Sequence, residues 1–116
     1  MQRLLLKSLL INAQVTALDE HRVAGVAIDS HLLDSADIVE YEQLELVNIQ
    51  TGARLTSFAL RAERNSGQVM LGSAYASFAT LTDQITIASY LIVSNSEASH
   101  YWPRLLKLDN RNRVVE

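Results

Sequence analysis

The residues best able to do chemistry in this 116-residue chain are few and form no strong motif. Cysteine is absent, which removes disulfides, thiolate metal sites and cysteine nucleophiles together and fits a reducing compartment. His21, His31 and His100 have no metal-like spacing to one another or to an acidic pair, so each reads as a surface residue. Asp37, Glu40, Glu42 and Glu45 look like a catalytic carboxylate cluster, but a solvated face is the plainer reading. Ser57 is a candidate nucleophile with no histidine base near it in sequence, which favours a structural hydroxyl. Thr51-Gly52-Ala53-Arg54 reads as a hairpin turn and not a phosphate loop, because no helix with a Gly-Lys-Ser signature follows. Arg54 carries a guanidinium fork suited to a bidentate carboxylate contact; an interface salt bridge on a strand is the alternative. Tyr75 offers a phenol that could donate a proton or anchor a hydrogen bond, or could simply fill a pocket.

The elements that must position these groups are mostly short strands. Leu4 to Leu18 reads as a buried strand ending in a turn at Asp19-Glu20, and Val23 to Ile28 as a second strand ending at Asp29-Ser30. Leu32, Leu33 and Ala36, with Asp29 or Ser30 as N-cap, predict a short helix over His31 to Ala36. Gln43 to Ile49 and Arg54 to Leu60 flank the Thr51-Gly52 turn signal and predict a hairpin. Val69 to Leu71 adds a strand, Tyr75 to Leu81 a short helix, and Ile85 to Val93 a β-rich run. Some six strands with two short helices predict a mainly β fold, a small closed barrel with helical trim.

The length allows one domain, residues 1–116, with a loose tail expected from about residue 108. One proline and four glycines leave no linker between domains. A net charge of −3 and the lack of a clustered basic patch argue against nucleic acid as a partner. The apolar N-terminal stretch is broken by Lys7 and Ser8 and is not a signal peptide, and no run approaches the roughly 20 apolar residues of a membrane span. A cytoplasmic protein is the default expectation.

Several stretches come in a familiar order: Ala27-Ile28-Asp29 followed by Leu32-Leu33-Asp34, then Asn48 with Thr51-Gly52-Ala53-Arg54. Ala62-Glu63-Arg64 with Ser66-Gly67, the run Ile85 to Ser89, and Trp102-Pro103 continue it. In this the chain resembles the pyruvoyl-dependent aspartate 1-decarboxylase family. The resemblance implies a small double-psi β-barrel assembled as a homotetramer. It also implies, for the family, self-cleavage at a Gly-Ser bond that leaves an N-terminal pyruvoyl group, which removes the α-carboxylate of aspartate to give β-alanine.

The positions that carry this chemistry depart from the family. Val23-Ala24-Gly25-Val26 stands where the family has Glu-Gly-Ser-Cys, so Ala24 and Gly25 occupy a degenerate cleavage site. Ser8-Leu9-Leu10-Ile11 replaces Gly-Lys-Leu-His, Phe58 replaces the proton-donor tyrosine, and Val47 replaces a tryptophan. Gly72-Ser73-Ala74-Tyr75-Ala76 replaces a loop of tiny residues whose backbone approaches the substrate. Arg54 is retained, at the position of the family's carboxylate clamp. The resemblance therefore implies substrate binding by Arg54, Gly72 and Ala74, and chemistry, if any, by Tyr75, Ser73 and Ser57. No pyruvoyl group, no autoprocessing, no other cofactor and no metal are expected. Three readings stand. One is a repurposed, cofactor-free lyase or cyclase acting on a small carboxylate or acyl intermediate in specialised biosynthesis. The second is a non-catalytic binding or regulatory homologue that assembles with other subunits, and the third is residual aspartate decarboxylation.

Overall fold

The computed structural model describes residues 1–115. It is mainly β: eight strands in one mixed sheet, β1 (Gln2–Gln14), β2 (Ala17–Asp19), β3 (Val26–Asp29), β4 (Gln43–Asn48), β5 (Arg54–Ala62), β6 (Val69–Gly72), β7 (Gln84–Ser94) and β8 (Arg104–Lys107). Two short helices, α1 (Ser30–Ser35) and α2 (Asn95–Ala98), complete it. The strand order is β2-β6-β3-β5-β4-β7-β1-β8, mixing parallel and antiparallel neighbours, which is compatible with a small β-barrel.

Alternation builds the interior. In β4, Leu44, Leu46 and Asn48 point inward while Gln43, Glu45 and Val47 face out, as the two-residue period of a strand requires. Leu10, Ile28, Leu71, Ile85 and Ile87 join Leu44 and Leu46 with no exposed surface, each burial contributing about 1.5–3 kcal/mol. The inward Asn48 is satisfied: its Nδ2 donates to the Phe78 carbonyl (2.8 Å) and to Asp83 Oδ2 (3.2 Å), while its Oδ1 accepts from the Gln50 amide. Asp29, also buried, accepts from the amides of His31, Asn65 and Gly67. It thereby caps α1 and ties the β5–β6 loop to the end of β3.

Four sequence expectations are corrected. The single strand over Leu4 to Leu18 breaks after Gln14, because Val15 exchanges backbone hydrogen bonds with Thr82 and Asp83 and not with a sheet neighbour. The strand expected from Val23 begins at Val26, since Gly25 sits at φ +91. The helix expected over Tyr75 to Leu81 is a single 3-10 turn, Ser73–Tyr75; Phe78 and Ala79 turn into the core and Thr82 takes φ +69. The count of six strands omits β2 and β8, both short.

From residue 108, where the sequence suggests a loose tail, the chain folds back. Leu108 bridges to Val114, and Asn112 is buried against the end of β1.

Candidate functional site

Strand register assembles the candidate site. β3 lies between β5, parallel (Val26↔Ala59), and β6, antiparallel (Val26↔Leu71). One residue before β3, Gly25 therefore falls between Phe58 and Gly72. The Gly72 amide donates to the Gly25 carbonyl (2.9 Å). The 3-10 turn then folds back over Arg22 and Val23: Ser73 N donates to Arg22 O (2.9 Å) and Ala74 N to Val23 O (3.0 Å). Gly72 is needed for this approach, since a Cβ there would lie 2.7 Å from the backbone of Ala24 and Val23.

The turn delivers the Tyr75 hydroxyl to a half-buried position between two partners. The Gly25 amide donates to Tyr75 Oη (3.3 Å), and Ser57 Oγ lies 3.0 Å from the same oxygen. Ser57 points inward from β5, as Leu55 and Ala59 do, and is 6% exposed. Gly25 is buried, and its hydrogen faces the Phe58 ring and Leu60: a Cβ would sit 2.9 Å from Phe58 Cε2 and 2.7 Å from Leu60 Cδ1. Ser73 and Ala74 are exposed at the mouth.

The sequence-predicted residues thus divide. Ala24, Gly25, Ser57, Gly72, Ser73, Ala74 and Tyr75 come together. Arg54 does not join them within one chain. It lies three residues from Ser57 on β5, on the opposite face and roughly 10 Å along the strand. Arg54 is exposed and makes no ion pair among the described residues. The bond from the Gly25 backbone to Tyr75 has no sequence signal, because it joins groups 50 residues apart and involves no side chain of residue 25.

Midway along β1, Ser8 is buried and hydrogen-bonded to Ser89 across the sheet (2.5 Å). Lys7, a cation beside the Leu9 position, is taken up by Glu42 (2.5 Å) in a pair that is largely out of solvent. Glu42 is thereby removed from the expected solvated face; Asp37 and Glu40 stay exposed, and Glu45 accepts from Thr56 Oγ1 (3.0 Å). The three histidines are exposed. Among the described residues no group of three or more acidic or histidine side chains is placed to hold a metal ion, and no helix is long and apolar enough to cross a membrane. An open groove of about 500 Å³ lies elsewhere, lined by Leu4, Glu42, Gln43, Tyr90, Leu91 and Ile92, and contains none of the residues around Gly25 and Tyr75.

The carboxyls held below their ordinary range also lie outside the site. Asp34 is lowered by hydrogen bonds from Arg64 and Arg61, Asp83 by the Thr80 amide and Asn48, and Asp109 by the amides of Arg113 and Arg111.

The sequence that builds this arrangement has relatives among known proteins. The family model described as aspartate decarboxylase matches residues 1–115. A protein named aspartate 1-decarboxylase from Laribacter hongkongensis is 38% identical over 116 residues, covering 100% of this chain and 91% of the relative. Its namesake from Methylobacillus flagellatus is 40% identical over 114 residues, 98% of this chain and 90% of the relative. That from Cupriavidus necator is 35% identical over 116 residues, 100% and 97% of the two chains. With a family model spanning the described chain and relatives at these identities over their near-full lengths, the protein belongs to the aspartate decarboxylase family.

Proposed function

We propose that this family member works without a pyruvoyl group, as a cofactor-free lyase or cyclase acting on a small carboxylate or acyl compound in a biosynthetic pathway. The observation that carries the reading is Gly25. A pyruvoyl group is made from a serine side chain by an N→O acyl shift and elimination. Gly25 has no hydroxyl to attack the preceding carbonyl and no β-oxygen to lose. A Cβ there would also require the Phe58 ring, 2.9 Å away, and Leu60, 2.7 Å away, to shift. The residues present do not fit the group.

What the site does offer supports binding of an oxygen-rich ligand. Tyr75 and Ser57 provide hydroxyls in a half-buried setting, Ser73 lies at the mouth, and Gly72 and Ala74 bring backbone close. Arg54 is free to clamp a carboxylate, and we place it against the Tyr75 cluster of a neighbouring subunit in a homotetramer, since within one chain Arg54 and Ser57, the cluster's residue on β5, lie on opposite faces of that strand.

The test is a thermal-shift screen with malonate, succinate and acyl thioesters. At a hundredfold excess over Kd a bound ligand adds about 2.7 kcal/mol of stability. The expected result is a ligand that raises the Tm of wild type and fails to do so for Arg54→Ala. If no carboxylate or acyl compound separates the two proteins, the reading is wrong.

One observation favours a second reading, a non-catalytic homologue that assembles with other subunits: the Tyr75 hydroxyl is already engaged inside the chain. Co-purification with a processed decarboxylase, and no ligand in the screen, would select it. Release of β-alanine by the pure protein, with two fragments by intact mass, would instead make it a decarboxylase of the kind its relatives are named for.

A further inference from the structure

We infer that Gly25 is a positioning residue for Tyr75, and that the Gly25–Ser57–Tyr75 cluster presents one hydroxyl proton to an acceptor oxygen of the ligand. The inference rests on reading this cluster as the ligand site and adds to it a role for a residue that has no side chain.

The count of donors is short. The Gly25 N–H donates to Tyr75 Oη, occupying one of its acceptor positions. Tyr75 and Ser57 together own two O–H protons, and the single bond between them uses one. Neither hydroxyl has another partner among the described residues. Of the two ways their shared bond can run, the one in which Ser57 donates to Tyr75 leaves the Tyr75 O–H, on the more exposed of the two residues, to donate outward. A half-buried site that supplies a single donor selects a carbonyl or carboxylate oxygen and disfavours a ligand offering only N–H or C–H groups, which would leave the donor unmatched.

Direction is what Gly25 contributes. Its amide is aimed at Tyr75 by a backbone at φ +91, a conformation that residues with a Cβ rarely adopt. Its hydrogen lets the Phe58 ring and Leu60 close against the other side. Any Cβ at this position must push back Phe58 and Leu60 or rotate the peptide, and rotation draws the amide away from Tyr75 Oη, whose bond at 3.3 Å has little length to spare. Ser57 steadies the same oxygen from the opposite strand. Gly25 and Ser57 thus act through Tyr75, the one group of the three that reaches the ligand.

The test uses full-length protein labelled with 3-fluorotyrosine and followed by fluorine NMR, the Tyr75 signal being the one lost in Tyr75→Phe. Ser57→Ala is expected to move that signal and Ser57→Thr, which keeps the hydroxyl, to restore it. Gly25→Ala is expected to move it as well. If Gly25→Ala does not fold, Gly25→Ala with Phe58→Ala, compared with Phe58→Ala alone, makes the same test with the ring removed. A Tyr75 signal indifferent to Gly25 and to Ser57 overturns the positioning. Malonate titration supplies the second arm. Binding that requires Arg54 but is unchanged in Tyr75→Phe overturns the donor role while leaving the proposed function standing. No malonate binding at all counts against the carboxylate reading, and the positioning is then decided by the unliganded spectra.

Discussion

At position 25 backbone and packing make the same demand. The φ of +91 strains any residue bearing a Cβ, and the space where a Cβ would go is filled by Phe58 and Leu60. Restoring a serine by Gly25→Ser is therefore expected to do two things. Intact-mass measurement should find a single uncleaved chain, because a hydroxyl alone does not rebuild a site that also has Leu9, Ile11 and Phe58. The Tm should fall, with overpacking of this kind costing roughly 1–3 kcal/mol. Two fragments in that spectrum would show that residue 25 alone had blocked processing. The absence of a hydroxyl could be read from the sequence directly, as could the survival of Arg54. The engagement of Tyr75 could not: its partners are 50 and 18 residues away, and one of them is a backbone amide.

The C-terminal residues after β8 act as a clasp on β1. Asn112 places Oδ1 on the Gln14 amide (2.8 Å) and Nδ2 on the Gln14 carbonyl (2.9 Å) and the Gly67 carbonyl (2.8 Å). It holds φ 58, which asparagine tolerates better than most residues. A turn around Asp109 aims it, Oδ1 of Asp109 accepting from the amides of Arg111 and Arg113. Asn112→Ala loses three hydrogen bonds and leaves part-buried groups at Gln14 and a buried carbonyl at Gly67 without partners, a cost of about 3 kcal/mol. Chemical denaturation should show that loss in full, and a change under 0.5 kcal/mol would mean that the clasp does not close in solution. Asn112 reads as part of a polar tail in the sequence because the groups it binds lie up to 98 residues away. The same blindness explains the helix expected over Tyr75 to Leu81, whose apolar spacing is real. Phe78 and Ala79 spend it on the core from an irregular segment pinned by Asn48 and Asp83. Where contacts are local, as in the β4–β5 hairpin around Thr51-Gly52, sequence pattern and structure agree.

For the molecule as a whole, the interior holds Asp29 with three amide donors and the Lys7–Glu42 pair, while Asp34, Asp83 and Asp109 stand at the surface in hydrogen-bonded settings. Those three surface carboxyls titrate below their ordinary value of 3.8 in the folded state. A carboxyl whose folded pKa is depressed stabilises the fold above the unfolded pKa, and that contribution is lost as pH falls through the folded value. Wild type should therefore lose stability progressively once the pH drops below about 4, where the unfolded chain takes up protons first. The triple variant Asp34→Asn, Asp83→Asn, Asp109→Asn should be less stable than wild type at pH 7, and the gap between them should narrow as the pH approaches 2. Because the three groups are open to solvent, salt should shrink the Asp34 share, which depends on Arg61 and Arg64, more than that of Asp83, whose main donor is a neutral amide. Urea unfolding at several pH values reads both effects. Parallel stability curves for the two proteins from pH 7 to pH 2 would rule the three carboxyls out as the source of acid sensitivity.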